Sequence, residues 1–161
     1  MITLNNQITY QTATLSEIDT LLPLIEAFHE SEELPFDPML DRRALQQLLS
    51  NPTLGRIWMI QNGDGAIGYV IVTFAYSLEF RGYEACIDEF YIRPAYQRQG
   101  IGTQTLQFVE SYCQLHNINA ISLEVAEDND QAQRVYRKAG YDDRGYFLMT
   151  KPIRTRIAQT C

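Results

Sequence analysis

The stretch from Arg56 to Ile92 constrains the fold more than any other part of the chain. Arg56 to Gln61 and Ala66 to Tyr76 read as strands, and Asn62-Gly63-Asp64-Gly65 lies between them. Gly and Asn accept the positive φ that a tight hairpin demands, so the two runs are expected to form a hairpin. Arg81-Gly82 marks a second turn, and a third strand runs from about Glu84 to Ile92. Pro94 stops it, because proline has no N–H to give to a ladder. A sheet therefore fills the middle of the chain.

Helical periods flank that sheet. Ile8 to Ala13 reads as a first strand, and Thr14-Leu15-Ser16-Glu17 as a capping box whose hydroxyl and carboxylate satisfy opening amides reciprocally. Ile18, Leu21, Leu22, Ile25 and Phe28 follow at spacings of three and four, which makes one helical face apolar. Pro35 and Pro38 interrupt, and Asp41 is expected to cap a second helix that buries Leu45, Leu48 and Leu49. Gly100 to His116 is helical in pattern, Ala120 to Val125 is a short strand, and Asn129 to Ala139 is a helix closed by Gly140. Tyr146 to Thr150 is expected to supply a last strand. The order β-α-α-β-β-β-α-β-α-β predicts an α/β (or α+β) fold, a mixed sheet with helices on both faces. No repeat or linker divides it, so residues 1–161 are expected to form one domain. Element order alone says nothing about chemistry.

Charge narrows the partners. Thirteen Lys and Arg stand against twenty Asp and Glu, a net charge of −7, which argues against nucleic acid and against an anionic membrane surface. No apolar run approaches the roughly 20 residues of a spanning helix, and Met1 to Asn6 shows no leader pattern, so a cytoplasmic protein is expected. Cys86, Cys113 and Cys161 form no CxxC pair, so neither a disulfide framework nor a metal site is expected. Glu26, Glu30, Glu32, Glu33, Asp37 and Asp41 form an acidic stretch without Lys or Arg, whereas Arg144, Lys151, Arg154 and Arg156 make the tail basic. The acidic stretch reads either as a solvated helix end or as a wall that attracts a cation.

The chemistry concentrates after the third central strand, in Asp88-Glu89-Phe90-Tyr91-Ile92-Arg93-Pro94-Ala95-Tyr96-Gln97-Arg98-Gln99-Gly100-Ile101-Gly102-Thr103. A strand ends, a donor-rich turn follows, and two glycines open a helix. Such glycines let backbone N–H groups and the helix dipole approach a bulky anion, naturally a pyrophosphate. A Rossmann fingerprint fails, since position 105 is Thr and no early βαβ unit precedes it. A Walker loop fails for want of a Lys after Gly102.

Gln97-Arg98-Gln99-Gly100-Ile101-Gly102 resembles the Q/R-x-x-G-x-G/A loop of the GNAT superfamily of acetyl-CoA-dependent N-acetyltransferases. Ile87 to Ile92 resembles that family's fourth strand, and Leu123 to Asn129 its fifth strand and exit loop. Val135-Tyr136-Arg137-Lys138-Ala139-Gly140-Tyr141 resembles its late helix end, so the resemblance runs from Ile87 to about Tyr141. The paired acids before the aromatic are similar to those of spermidine/spermine-type acetyltransferases. The resemblance implies a largely antiparallel sheet with splayed central strands and pantetheine lying between them. Phe90, Tyr91 and Ile92 would offer it backbone groups, while Gln97, Arg98, Gln99, Gly100, Ile101, Gly102 and Thr103 would form the pyrophosphate loop. Asn129 matches a cofactor-contacting position and is equally a good helix N-cap. Acetyl-CoA is the implied co-substrate, a small primary amine the implied partner, and a homodimer the common assembly; the Glu26–Asp41 acidic stretch, as an acceptor-side wall, suits a cationic amine.

Acetyl transfer needs a deprotonated amine, donors for the oxyanion and an acid for the departing thiolate. Tyr136 holds the family's acid position. Asp88 and Glu89 are the candidate bases, and as strand neighbours they should face opposite sides unless a bulge intervenes. Phe90 and Ile92 share regular parity with Asp88, Ile87 and Tyr91 with Glu89, so parity leaves both open, with Glu89 slightly favoured through a water. His29 and His116 read as solvated or core-satisfied side chains, His29 being the better functional candidate. Cys86 reads as strand packing and Glu79 as an exposed hairpin acid. Two other readings compete: a silent acyl-CoA-binding or regulatory module, and a protein N-terminal or lysine acetyltransferase.

Overall fold

The computed structural model describes residues 7–153, so the N-terminal segment 1–6 and Arg154, Arg156 and Cys161 lie outside the described residues. Five strands, β1 (Thr9–Thr12), β2 (Gly55–Asn62), β3 (Gly65–Ser77), β4 (Gly82–Ile92) and β5 (Ile118–Leu123), lie in the order β1-β2-β3-β4-β5. The first four run antiparallel, and β5 joins β4 in parallel. A parallel neighbour needs a crossover, which α3 (Ile101–Leu115) provides. The helices α1 (Ile18–Ser31), α2 (Pro38–Ser50) and α4 (Asp130–Lys138) complete the fold.

Strand alternation sorts the core into two faces. Ile57, Met59, Tyr69 and Ile71 pack with Leu21, Leu24, Ile25 and Leu45 of α1 and α2. Trp58, Val70, Val72, Ala85 and Ile87 pack with Leu106, Val109 and Cys113 of α3, and Val135, Tyr136 and Ala139 of α4 join them partly buried. Thr105, at the position where a Rossmann motif would want a small residue, is fully buried and donates to the Ile101 carbonyl at 2.8 Å.

The capping box forms as read, with the Thr14 N–H donating to Glu17 Oε2 at 2.6 Å and the Ser16 N–H to Thr14 Oγ1 at 3.3 Å. The second helix begins earlier than expected. Asp37, not Asp41, caps it, accepting from the N–H groups of Met39 and Leu40 at 2.9 and 3.0 Å. Pro38 then occupies the first turn, where its fixed φ and missing N–H suit a helix start, and Asp41 accepts from the Asp37 N–H instead. β5 likewise starts two residues before the expected Ala120.

Tyr146 to Thr150 forms no strand. Tyr146, Phe147, Leu148 and Met149 are 68–91% exposed, and just before them Arg144 reaches the β3–β4 turn. Its guanidinium pairs with Glu79 and stacks over Phe80 and Tyr146 at 5.2 and 5.6 Å.

Two irregularities position the site. The β3–β4 register passes from Val72↔Ile87 to Ile71↔Glu89, so Asp88 is an extra, bulged residue. The β4–β5 pairing ends at Ile87↔Leu123. β5 ends at that pair while β4 runs on, and the β5 side of Asp88 to Ile92 has no strand partner among the described residues.

Candidate active site

The gap beside β4 past the end of β5 opens into a groove of about 620 Å³. Phe28 and Ser31 of α1 and the following Glu32 line it on one side, and the α3 mouth and α4 on the other. The Arg93 N–H donates to the Ile67 carbonyl at 2.8 Å, toward β3. Backbone groups alternate along a strand, so those of Phe90 and Ile92 face away from β3 into the gap, whereas those of Tyr91 face β3. Of the three residues expected to offer backbone groups, two are turned to do so. The Ile92 carbonyl already accepts from Gln97 Nε2 at 2.8 Å, which leaves Phe90 with the free pair.

The loop after β4 is shaped as an anion cradle. Arg98 and Gly100 adopt φ values of +58° and +80°, and such left-handed steps turn successive N–H groups toward one side. The side chains of Gln97 and Gln99 donate to the Ile92 and Ala95 carbonyls and so fix the turn, while Arg98 lines the groove. Gly100 caps α3 without any side-chain bond, and the first N–H groups of a helix have no intrahelical acceptor. Gly100, Gly102 and Thr103 all line the groove, whereas the Ile101 side chain is buried against Ile60 and Ile67.

Whether these residues fit a CoA pyrophosphate is tested by Gly102. Its φ is unremarkable, and a Cβ built on it meets nothing within 4 Å. Neither backbone conformation nor internal packing requires glycine there. Without a side chain at 102 the groove reaches the α3 amides unobstructed, so the residues present fit the group.

Asn129 Oδ1 accepts from the Ala132 N–H at 3.0 Å, capping α4, and the residue also lines the groove. About two turns along α4 from Asn129, Tyr136 reaches the groove from a half-buried position. Burial raises its pKa, and the negative charge of Glu32 raises it further. The phenol is therefore held in its proton-bearing form.

The two acids part company at the bulge. Asp88 is exposed and lines the groove with Phe90 and Tyr136. Glu89 is half-buried and lies on the α1 side, where Oε1 is 2.8 Å from His29 Nε2 and Oε2 accepts from the Tyr69 hydroxyl at 2.8 Å. The bulge also overturns the regular parity: Ile87 and Phe90 share the α3 face, while Glu89 and Tyr91 share the other.

His29 and Tyr69 enter the site's surroundings without having been singled out as partners of Glu89. A signal for His29 exists, because it stands four residues after Ile25 on the buried stripe of α1, where a polar group needs a partner. His116, in contrast, stacks on Tyr112 at 3.9 Å, outside the groove. Cys86 is half-buried and burial pushes its thiol pKa up, the wrong direction for a nucleophile. A smaller hollow of about 420 Å³ adjoins the groove, walled by Phe28, Glu30, Glu32, Phe90 and Tyr91.

No described helix is long and apolar enough to cross a membrane. Solved structures share the fold. An integron cassette protein from the mobile metagenome of Cole Harbour Salt Marsh is 28% identical, with a TM-score of 0.81 over 90% of each chain. A protein from Clostridium acetobutylicum, solved with acetyl-CoA and described as a predicted acetyltransferase, is 20% identical, with a TM-score of 0.76 over 90% of this chain and 96% of that one. Thialysine N-epsilon-acetyltransferase of Bos taurus is 27% identical over 81 residues, which is 50% of this chain; the chain spans about half that relative's length, 47%. The sequence profile of the acetyltransferase (GNAT) family matches residues 21–141, most of the chain and the whole of the groove, and the chain belongs to that family.

Proposed function

We propose that the chain transfers an acetyl group from acetyl-CoA to a small, cationic primary amine by direct attack in a ternary complex. The observation that carries this reading is one groove holding three things together: an uncapped helix mouth open at Gly102, an exposed carboxylate at Asp88 and a proton-bearing phenol at Tyr136. The amides of Gly100 to Thr103 and the Arg98 guanidinium receive the pyrophosphate, and the Phe90 backbone holds the pantetheine arm in place of a missing strand. Acetyl-CoA supplies the activated thioester.

An ammonium has no lone pair, so its proton must leave first. Asp88, the acid that lines the groove, takes that proton directly or through one water. As the nitrogen–carbon bond forms, the Phe90 N–H faces the gap as a donor for the developing oxyanion. When the carbon–sulfur bond breaks, Tyr136 gives its phenolic proton to the thiolate and the nitrogen loses its second proton to solvent, with which Tyr136 and Asp88 then exchange back to their starting forms. The hollow walled by Phe28, Tyr91, Glu30 and Glu32 favours a cationic acceptor, since carboxylates and aromatic faces both attract positive charge. The similarity to a thialysine acetyltransferase points to the same acceptor class.

The test is release of free CoA thiol from acetyl-CoA across spermidine, thialysine, amino acids and aminoglycosides. Amine-dependent release supports the reading. Acetyl-CoA binding without release favours a silent binding module, and release only with peptide mixtures favours a protein acetyltransferase.

A further inference from the structure

His29, Glu89 and Tyr69 form a connected unit that the transfer reaction above does not use. The Pro35 carbonyl lies 3.0 Å from His29 Nδ1 and has no proton to give, so Nδ1 carries the hydrogen and donates. Nε2, the ring's other nitrogen, lies 2.8 Å from Glu89 Oε1. A lone pair facing a carboxylate oxygen at that distance is repulsive, so one proton sits between them. Glu89 Oε2 meanwhile accepts from the hydroxyl of the fully buried Tyr69. Both oxygens are engaged. Glu89 is thus held from two sides away from the groove, which Asp88 lines instead.

The unit instead joins three elements at the β3–β4 bulge. His29 comes from the end of α1, Tyr69 from β3, and Glu89 from the residue after the bulged Asp88. Pro35 adds the α1–α2 connection. Fixing Glu89 from two directions fixes where the extra residue of the bulge falls, and that residue is Asp88.

We infer that His29 is a positioning residue, and that His29 and Tyr69 pin Glu89 so that the bulge presents Asp88 to the groove. This rests on the transfer reading above. Glutamine at position 89 can accept from Tyr69 through its oxygen and donate to Nε2 through its amide. It therefore replaces the pin and cannot replace a base.

Three variants are compared by steady-state kinetics and by amide hydrogen exchange over residues 87–90. Glu89→Ala and His29→Ala should each lower kcat by about 10²-fold, leave the KM for acetyl-CoA unchanged and speed exchange at the bulge. Glu89→Gln should restore slow exchange and bring kcat back to within about fivefold of wild type. If Glu89→Gln keeps slow exchange yet is as inactive as Glu89→Ala, Glu89 is itself the base and the inference falls. It falls equally if His29→Ala changes neither exchange nor kcat. Should the wild type release no thiol with any amine, the transfer reading fails on its own, and the exchange data alone decide the pin. Thermal melts separate a misplaced bulge from an unfolded protein, and Tyr69→Phe, which keeps the ring, stands in for any alanine variant that does not fold.

Discussion

Gly102→Ala separates the groove's role from the fold's. Gly102 is the second residue of α3, its φ lies in the ordinary range, and an added Cβ would meet no protein atom within 4 Å. Alanine is favoured over glycine in a helix by about 0.5–1 kcal/mol, so the substitution should stabilise the fold. For a chain of this size that is a rise in Tm of roughly 1–4 °C, read by differential scanning calorimetry. The same methyl group stands where an anion would approach the α3 amides. Losing one such charge-assisted hydrogen bond costs about 1.5–3 kcal/mol, which corresponds to roughly 10–100-fold weaker acetyl-CoA binding by isothermal titration calorimetry. Gly68→Ala provides the opposite case, because its Cβ would lie 2.2 Å from the Tyr91 carbonyl oxygen. That overpacking should cost about 1–3 kcal/mol and lower Tm. A Gly102→Ala protein with a raised Tm and unchanged acetyl-CoA affinity would refute the cradle. A clearly lowered Tm would refute the claim that no internal contact demands glycine there.

Further outcomes follow from the same geometry. Tyr136→Phe should lower kcat by about 10²-fold while the acetyl-CoA Kd stays within error, and unchanged turnover would remove the phenol from the mechanism. Glu32→Gln removes the second of the two causes that raise the Tyr136 pKa. The phenol then loses its proton at lower pH, so the alkaline limb of the kcat profile should move to lower pH; a limb that stays put or moves upward contradicts the assignment. Asn129→Ala removes the α4 cap and should cost about 1 kcal/mol, with kcat falling because α4 carries Tyr136.

The sheet was readable because its signals are local. Asn62-Gly63-Asp64-Gly65, Arg81-Gly82 and Pro94 punctuate the chain wherever a strand must stop. The α3 mouth was equally readable, since Gly100 states a backbone requirement in the residue itself, a left-handed φ of +80° at the helix start. What escaped depends on neighbours remote in sequence. The bulge at Asp88 shows only once β3 is laid against β4, and it decides which acid reaches the groove. His29 lies 60 residues from Glu89, and no spacing rule connects them. Asp37 displaced Asp41 as a cap because Pro38 can open a helix as readily as it can end one. The apolar run from Tyr146 to Thr150 reads locally as a strand, but the segment pairs with no strand among the described residues.

The central claim is that one groove brings an anion cradle, a carboxylate and a phenol to a single thioester. Its most direct measurement is the stoichiometry of products from acetyl-CoA and a cationic amine, by thiol titration and mass spectrometry of the same reaction. The account predicts one free CoA thiol for each singly acetylated amine, both abolished together in Gly102→Glu. Acetyl-CoA bound in the groove, with no thiol released by any amine in the panel, would contradict it.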